Sequence, residues 1–292
     1  MRPTVTVHSK EQLVEIIQHT MQEEGPCCDL NFLDVSRISD FSSLFSHSIF
    51  NGDISQWDVS NAINMEYMFL RSRFNGDISG WDVSKVSKMV GMFGESLFNQ
   101  DLSSWDVSSV KNFGLMFNQS QFNQPLLQWN VRSAKNMCGM FLGSRFNQPI
   151  HAWNVKNVYN IAKIFSESDF NQPLEDWDVG GVENMFGAFL GCPFNHPVDR
   201  WDVRKVNDMS RLFLNSGFSQ DVCSWSRESL PIDKDDRMFM NSGVARQMGL
   251  ENPSFEEVKS HQYQRRLRKK WSVLDGGRPD QSPNLSSPRI RL

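Results

Sequence analysis

Two sets of residues in this chain could act through charge. A carboxylate or amide follows a Trp at a fixed interval: Asp58, Asp82, Asp106, Asn130, Asn154, Asp178 and Asp202, each 24 residues from the next. Carboxylates aligned on one face repel each other and favour cations, Ca²⁺ among them, or a basic partner. The competing use of the same oxygens is to accept backbone N–H bonds from the following turn of chain. The second set is basic: Arg265, Arg266, Arg268, Lys269 and Lys270 lie close together near the C-terminus. Such a cluster can contact an anionic surface, nucleic acid or an acidic protein. It has no interleaved aromatic residue, so nucleic acid is not the expected partner.

Other chemistry finds little footing. There is no G-x-S-x-G, no GxxxxGK[ST] and no G-x-G-x-x-G, so no nucleophile elbow, P-loop or dinucleotide fingerprint is present. The five Cys and six His contain no CxxC and no HxxxH; neither a disulfide framework nor a metal site is expected. Cys27 and Cys28 are adjacent and read as a buried or solvent thiol pair rather than a nucleophile. Asn118 and Asn284 open glycosylation sequons, with no secretory signal to support them. The chain is read as non-enzymatic and without a cofactor.

The elements that must position these residues come from a repeat. Eight of the nine Trp fall at 57, 81, 105, 129, 153, 177, 201 and 225. One Phe column runs from 50 to 218 and another from 45 to 213, each in steps of 24. Val follows Trp by two from Val59 to Val203. The consensus is F-N-Q-[PD]-[LI]-x-x-W-[DN]-V-S-x-V-x-N-M-x-x-M-F-x-x-S-x. A weaker copy with Leu33 in the Trp column precedes it, and MFMNSG (238–243) follows with two residues inserted. Sustained apolar columns at this period predict a solenoid whose stacked turns share one core. The fold class expected is an α/β repeat solenoid with one short strand and one short helical turn per repeat. The strand is predicted at x-W-x-V-x, with Trp and Val inward. The helical turn is predicted at M-x-x-M-F, as in Met137, Met140 and Phe141. The Asn after Phe is expected to form an amide ladder.

FNQPLLQWNV (122–131), FNQPLEDWDV (170–179) and SKVSKMVGMF (84–93) resemble the repeat of BspA-like leucine-rich-repeat surface proteins, also called the mycoplasma-type lipoprotein repeat family. The resemblance covers about residues 27–244. It implies a leucine-rich-repeat-like solenoid and a role in surface display, adhesion or host contact, and hence a cell-surface or secreted location. The opening MRPTVTVHSKEQL has no apolar run of about 7–15 residues of the Sec type, which leaves the cytoplasm or export by another route as the alternative. No run approaches the roughly 18 apolar residues of a membrane span.

The 292 residues divide accordingly: a helical N-terminal cap at 1–32, the solenoid at 33–244, a basic helix at 245–272 and a disordered tail at 273–292. Ser9 with Gln12, and Ser254 with Glu257, read as capping boxes. Leu13, Ile16, Ile17 and Thr20 form one face of the first helix; Phe255, Val258, Leu267 and Trp271 are expected to face the array from the last. Charge is polarised as well. Residues 259–292 carry a net +7 and the remainder −11, for −4 overall, a basic end on an acidic body.

The eight Trp could stack against sugars, but they recur together with Val, Met and Phe as core positions must. Recognition is therefore expected from the outward columns beside them: the recurrent Asp/Asn column and the columns flanking it, which do not repeat. These comprise Gln56, Asp58, Asp82, Asp106, Gln128, Asn130, Arg132, Asn154, Lys156, Arg200, Asp202 and Arg204. The function expected is binding of another protein through this strand face, for adhesion or host-factor contact. The alternative is an effector or intracellular scaffold whose basic C-terminal helix, through Arg265, Arg266, Arg268, Lys269 and Lys270, docks to an anionic surface.

Overall fold

A computed structural model describes residues 2–225 and 237–274. Its elements are β1 (Val5–Thr6), α1 (Lys10–Glu24), β2 (Leu33–Asp34), α2 (Gly243–Met248) and α3 (Phe255–Leu274). Between β2 and α2 the chain is a succession of turns, and its order lies in how residues 24 apart meet. Parallel bridges link Asp40, Asn64, Lys88, Asn112, Asn136, Asn160, Asn184 and Asp208 in sequence.

The segment after each bridge satisfies its backbone in two directions. The N–H groups of Met65, Tyr67, Phe69 and Arg71 donate to the carbonyls of Lys88, Val90, Met92 and Gly94 in the next unit, at 2.8–2.9 Å. Those of Met68, Leu70 and Ser72 donate to the carbonyls three residues back. Alternate amides can point opposite ways because Tyr67 and Arg71 hold left-handed backbone, with φ 57° and 54°. The same two positions are left-handed in every described unit, from Ser43 and His47 to Arg237 and Asn241. Each non-Gly residue there costs roughly 1–2 kcal/mol of backbone strain, offset by a bond to the neighbouring unit. The helical turn expected at M-x-x-M-F is thus absent: left-handed residues interrupt it, and what remains is a chain of turns.

The strand expected across Trp and Val forms in one copy alone among the described residues. At Leu33–Asp34, β2 pairs in parallel with β1. A strand needs a partner for its ladder, and β1 provides one only there. In the next unit the amides of Trp57 and Ala62 donate instead to Ile54 and Val59, three residues back, and the carboxylates between them take other amides.

Side chains register the units. The indole N–H of each Trp from Trp57 to Trp225 donates to the carbonyl 27 residues earlier, at 2.9–3.1 Å, and these rings are 1–4% exposed. Phe45, Phe69, Phe93, Phe117, Phe141, Phe165, Phe189, Phe213 and Phe239 form one column with centroids 5.6–5.8 Å apart. The last step spans 26 residues, so the two inserted residues before Met238 leave the column intact. Asn51 Oδ1 accepts the Asn75 amide, and the relation continues through Asn195 to Ser219 at 2.8–3.0 Å. Buried serines close the turns: Ser96 Oγ donates to Phe93 O at 2.8 Å and accepts the Phe98 amide. Gly91 and Gly139 leave room for the side chains folded over them from the preceding unit; a Cβ would lie 2.6 Å from the Tyr67 ring and 2.7 Å from Leu115 Cδ2.

Both ends are covered. Leu13, Ile17 and Thr20 of α1 are buried, and Ile16 is half-buried against the core. Ser9 Oγ accepts the Gln12 amide, whereas Gln12 Oε1 reaches the His8 amide rather than that of Ser9. The segment expected to hold the basic helix, 245–272, contains that helix as α3, which starts where Ser254 predicts and is preceded by the short α2. Gly249, left-handed at φ 69°, ends α2, and Pro253 precedes α3, where Ser254 and Glu257 complete a reciprocal capping box. Phe255 stacks on Phe239 at 6.5 Å. Gln262 accepts the Val222 amide at 2.9 Å and donates to Gln220 O at 2.7 Å. Trp271 does not face the array: it is 62% exposed. Of the tail expected at 273–292, residues 275–292 lie outside the described residues.

Trp153→Phe keeps a ring in the core but leaves the Leu126 carbonyl without its donor. It should destabilise by about 1–3 kcal/mol, read as a lower urea midpoint with unchanged slope.

Candidate functional site

Each outward loop after a Trp is built by an Asx turn. Asp58, Asp82 and Asp106 accept the amides of Ser60, Ser84 and Ser108 at 3.0 Å. Asn130 and Asn154 accept those of Arg132 and Lys156 at 3.3 Å. Asp178 and Asp202 accept those of Gly180 and Arg204 at 3.2 Å. The donor lies two residues on in the same loop, not in the following turn. Each Asx turn uses one oxygen of its carboxylate, and at Asp202 the second also accepts, from Arg204 Nη2 at 2.7 Å.

The residues expected to bind a partner share this face. Gln56, Asp58, Asp82, Asp106, Gln128, Asn130, Arg132, Asn154, Lys156, Arg200, Asp202 and Arg204 are all exposed; Gln56, Gln128 and Arg200 precede the buried Trp of their unit and the others follow it. Their electrostatics differ along the face. Hydrogen bonds from Ser84 hold the Asp82 carboxyl below the usual carboxylate range. Arg204 grips Asp202 through Nε and Nη2 at 2.8 and 2.7 Å, and this holds Asp202 down to about 2. Arg204 is therefore half of an ion pair, while Asp58 and Asp106 meet only local amides in the contacts above.

Two further columns of Asx turns escaped the sequence reading. Asp53, Asp77 and Asp101 accept the amides of Ser55, Ser79 and Ser103 at 2.8–2.9 Å. The bridging residues, such as Asn64 and Asn136, accept amides two residues on. The signal lies in the period-24 recurrence of Asp shortly after F-N and of Asn before Met. On another face, Lys163 and Arg211 both lie over the Phe186 ring, at 5.5 and 5.6 Å.

The basic set belongs to a different element. Arg265, Arg266, Arg268, Lys269 and Lys270 are exposed on α3, apart from the Trp loops. Arg265 donates to Gln247 Oε1 at 2.6 Å, and Arg266 Nε to Asp221 Oδ2 at 2.5 Å. Arg265, Arg266 and Asp221, with Ser219, Gln220, Gln262 and Lys269, line a cleft of about 180 Å³ between α3 and the last unit.

Among the described residues, no group of three or more His, Cys, Asp or Glu is placed to hold a metal ion. Burial pushes the Cys28 thiol up, Cys192 to about 12 and Cys223 to about 11, so these three thiols are protonated at neutral pH. No helix among the described residues is long and apolar enough to cross a membrane.

The family described as Mycoplasma protein of unknown function, DUF285, matches residues 17–121, 94–169 and 144–252. The chain belongs to this family. The three DUF285 matches overlap, as they do when a tandem repeat lets one family model be laid along the chain in more than one register. No curated protein and no solved structure matches the chain.

The grip of Arg204 on Asp202 is open to direct titration. The Asp202 carboxyl carbon should titrate at about 2 by NMR, and in Arg204→Gln it should move up toward the ordinary carboxylate value of about 3.9. Any stability the pair adds is present above the unfolded-state value and is lost as pH falls through the folded one.

Proposed function

We propose that this DUF285 member is a leucine-rich-repeat-like solenoid of the BspA-like kind, working as a non-enzymatic module that binds another protein through its Trp-loop face. One observation carries the reading. The twelve outward positions beside the Trp column are all exposed, and those flanking the recurrent Asp/Asn, namely Gln56, Gln128, Arg132, Lys156, Arg200 and Arg204, lie in columns that vary from unit to unit while the Trp, Val and Phe beneath them repeat and are buried. A core that repeats under a surface that does not is how repeat proteins present an extended recognition face. The early units of this face carry Asp58, Asp82 and Asp106, and the later ones Arg132, Lys156 and Arg200. A partner therefore meets acidic and basic stretches in a set order, which supplies register and specificity more than raw affinity. Adhesion or contact with a host factor is the use that the repeat's resemblance favours.

Because Arg204 is engaged by Asp202, the informative variant reverses Arg132, Lys156 and Arg200 to Glu. Proteins captured from host-cell surface extracts by the wild type should be lost by this variant while its thermal unfolding stays unchanged. Full capture by the triple variant contradicts the assignment of this face.

A further inference from the structure

α3 is anchored along one side and open along another. Phe255, Val258 and Gln262 are buried against the last unit. Tyr263, Leu267 and Trp271 follow at intervals of four and so share a different face of the helix. Tyr263 is 57% and Trp271 62% exposed, and Leu267 is half-buried. This exposure is out of character for the chain, whose other eight Trp are 1–4% exposed. Arg268 and Lys270 are exposed and flank the stripe. The acidic residues of α3, Glu256 and Glu257, lie in its first turn, at the opposite end.

We propose that this face of α3 docks the protein onto an anionic lipid bilayer. Trp and Tyr pair an apolar ring with one polar tip, and their most favourable position is the boundary between headgroups and acyl chains. Leu267 between them adds apolar area that water does not reward. Cations on both flanks of such a stripe meet headgroup phosphates when the stripe enters the boundary, which is the arrangement of an interfacial helix. A solvated basic face needs no aromatic residues. A nucleic-acid contact would set the cations at the centre of the face and the rings beside them. The acidic body, net −11 over residues 1–258, is repelled by the same bilayer, so contact is confined to α3 and the Trp loops stay available to solvent. The proposal is independent of the partner assigned to those loops.

Trp271 is its own reporter. The full-length protein is mixed at low salt with vesicles of phosphatidylcholine alone or with added phosphatidylserine. Cosedimentation and a blue shift of Trp emission are expected with phosphatidylserine, and both are lost at high salt. Arg268→Gln with Lys270→Gln should weaken binding about 25-fold, at about fivefold for each cation near an anionic surface. Trp271→Phe should remove the blue shift and leave most of the sedimentation. The proposal is overturned by no sedimentation with phosphatidylserine at low salt. Equal binding to phosphatidylcholine, sedimentation with unshifted emission, or binding of an oligonucleotide in place of vesicles would overturn it equally.

Discussion

The structure depends on a distance along the chain. Each Trp from Trp57 to Trp225 donates its indole N–H to the carbonyl 27 residues earlier, inside a core that excludes water. A buried carbonyl left without that donor costs about 1–3 kcal/mol, so a unit one residue too long or too short loses its bond and its neighbour's packing together. The spacing of the Trp, Val, Phe and Asn columns follows from this constraint. The insertion before Met238 comes after the last of these indoles, Trp225, where the constraint no longer applies.

Aromatic stacking and backbone bonding support each other. The Phe column runs through the centre at 5.6–5.8 Å per step, and the left-handed positions beside it let alternate amides reach the next unit. Neither would persist alone. Single left-handed residues are strained, and stacked rings in a chain without fixed register would slip. The two surfaces that can act on other molecules hang from this frame: the Asx-turn loops beside the Trp column, and α3 at the far end.

Much of this is legible in the sequence. Trp, Phe and Val at a constant interval announce the buried columns, and Asn51 to Asn195 announce the amide ladder. The cap helices follow from Ser9 with Gln12 and from Ser254 with Glu257. The local backbone is not legible. Met137, Met140 and Phe141 have the spacing of a helical turn, but that spacing also fits any path that points all three inward. The left-handed positions are hidden because Ser, Tyr, Leu, Lys, Glu and Arg occupy them as well as Gly, so tertiary bonding there overrides residue preference. The strand expected at Trp-x-Val lacks a partner: alternation predicts facing, and only β1 makes it a ladder. The position of Trp271 is hidden too, because helical spacing alone does not say where the last unit ends.

The most direct measurement is amide and indole hydrogen exchange by NMR on the uniformly ¹⁵N-labelled protein. Of the nine Trp indole signals, eight should exchange slowly and one, from Trp271, fast. Several fast-exchanging indoles under native conditions would contradict the buried, inter-unit Trp bonds on which this account rests.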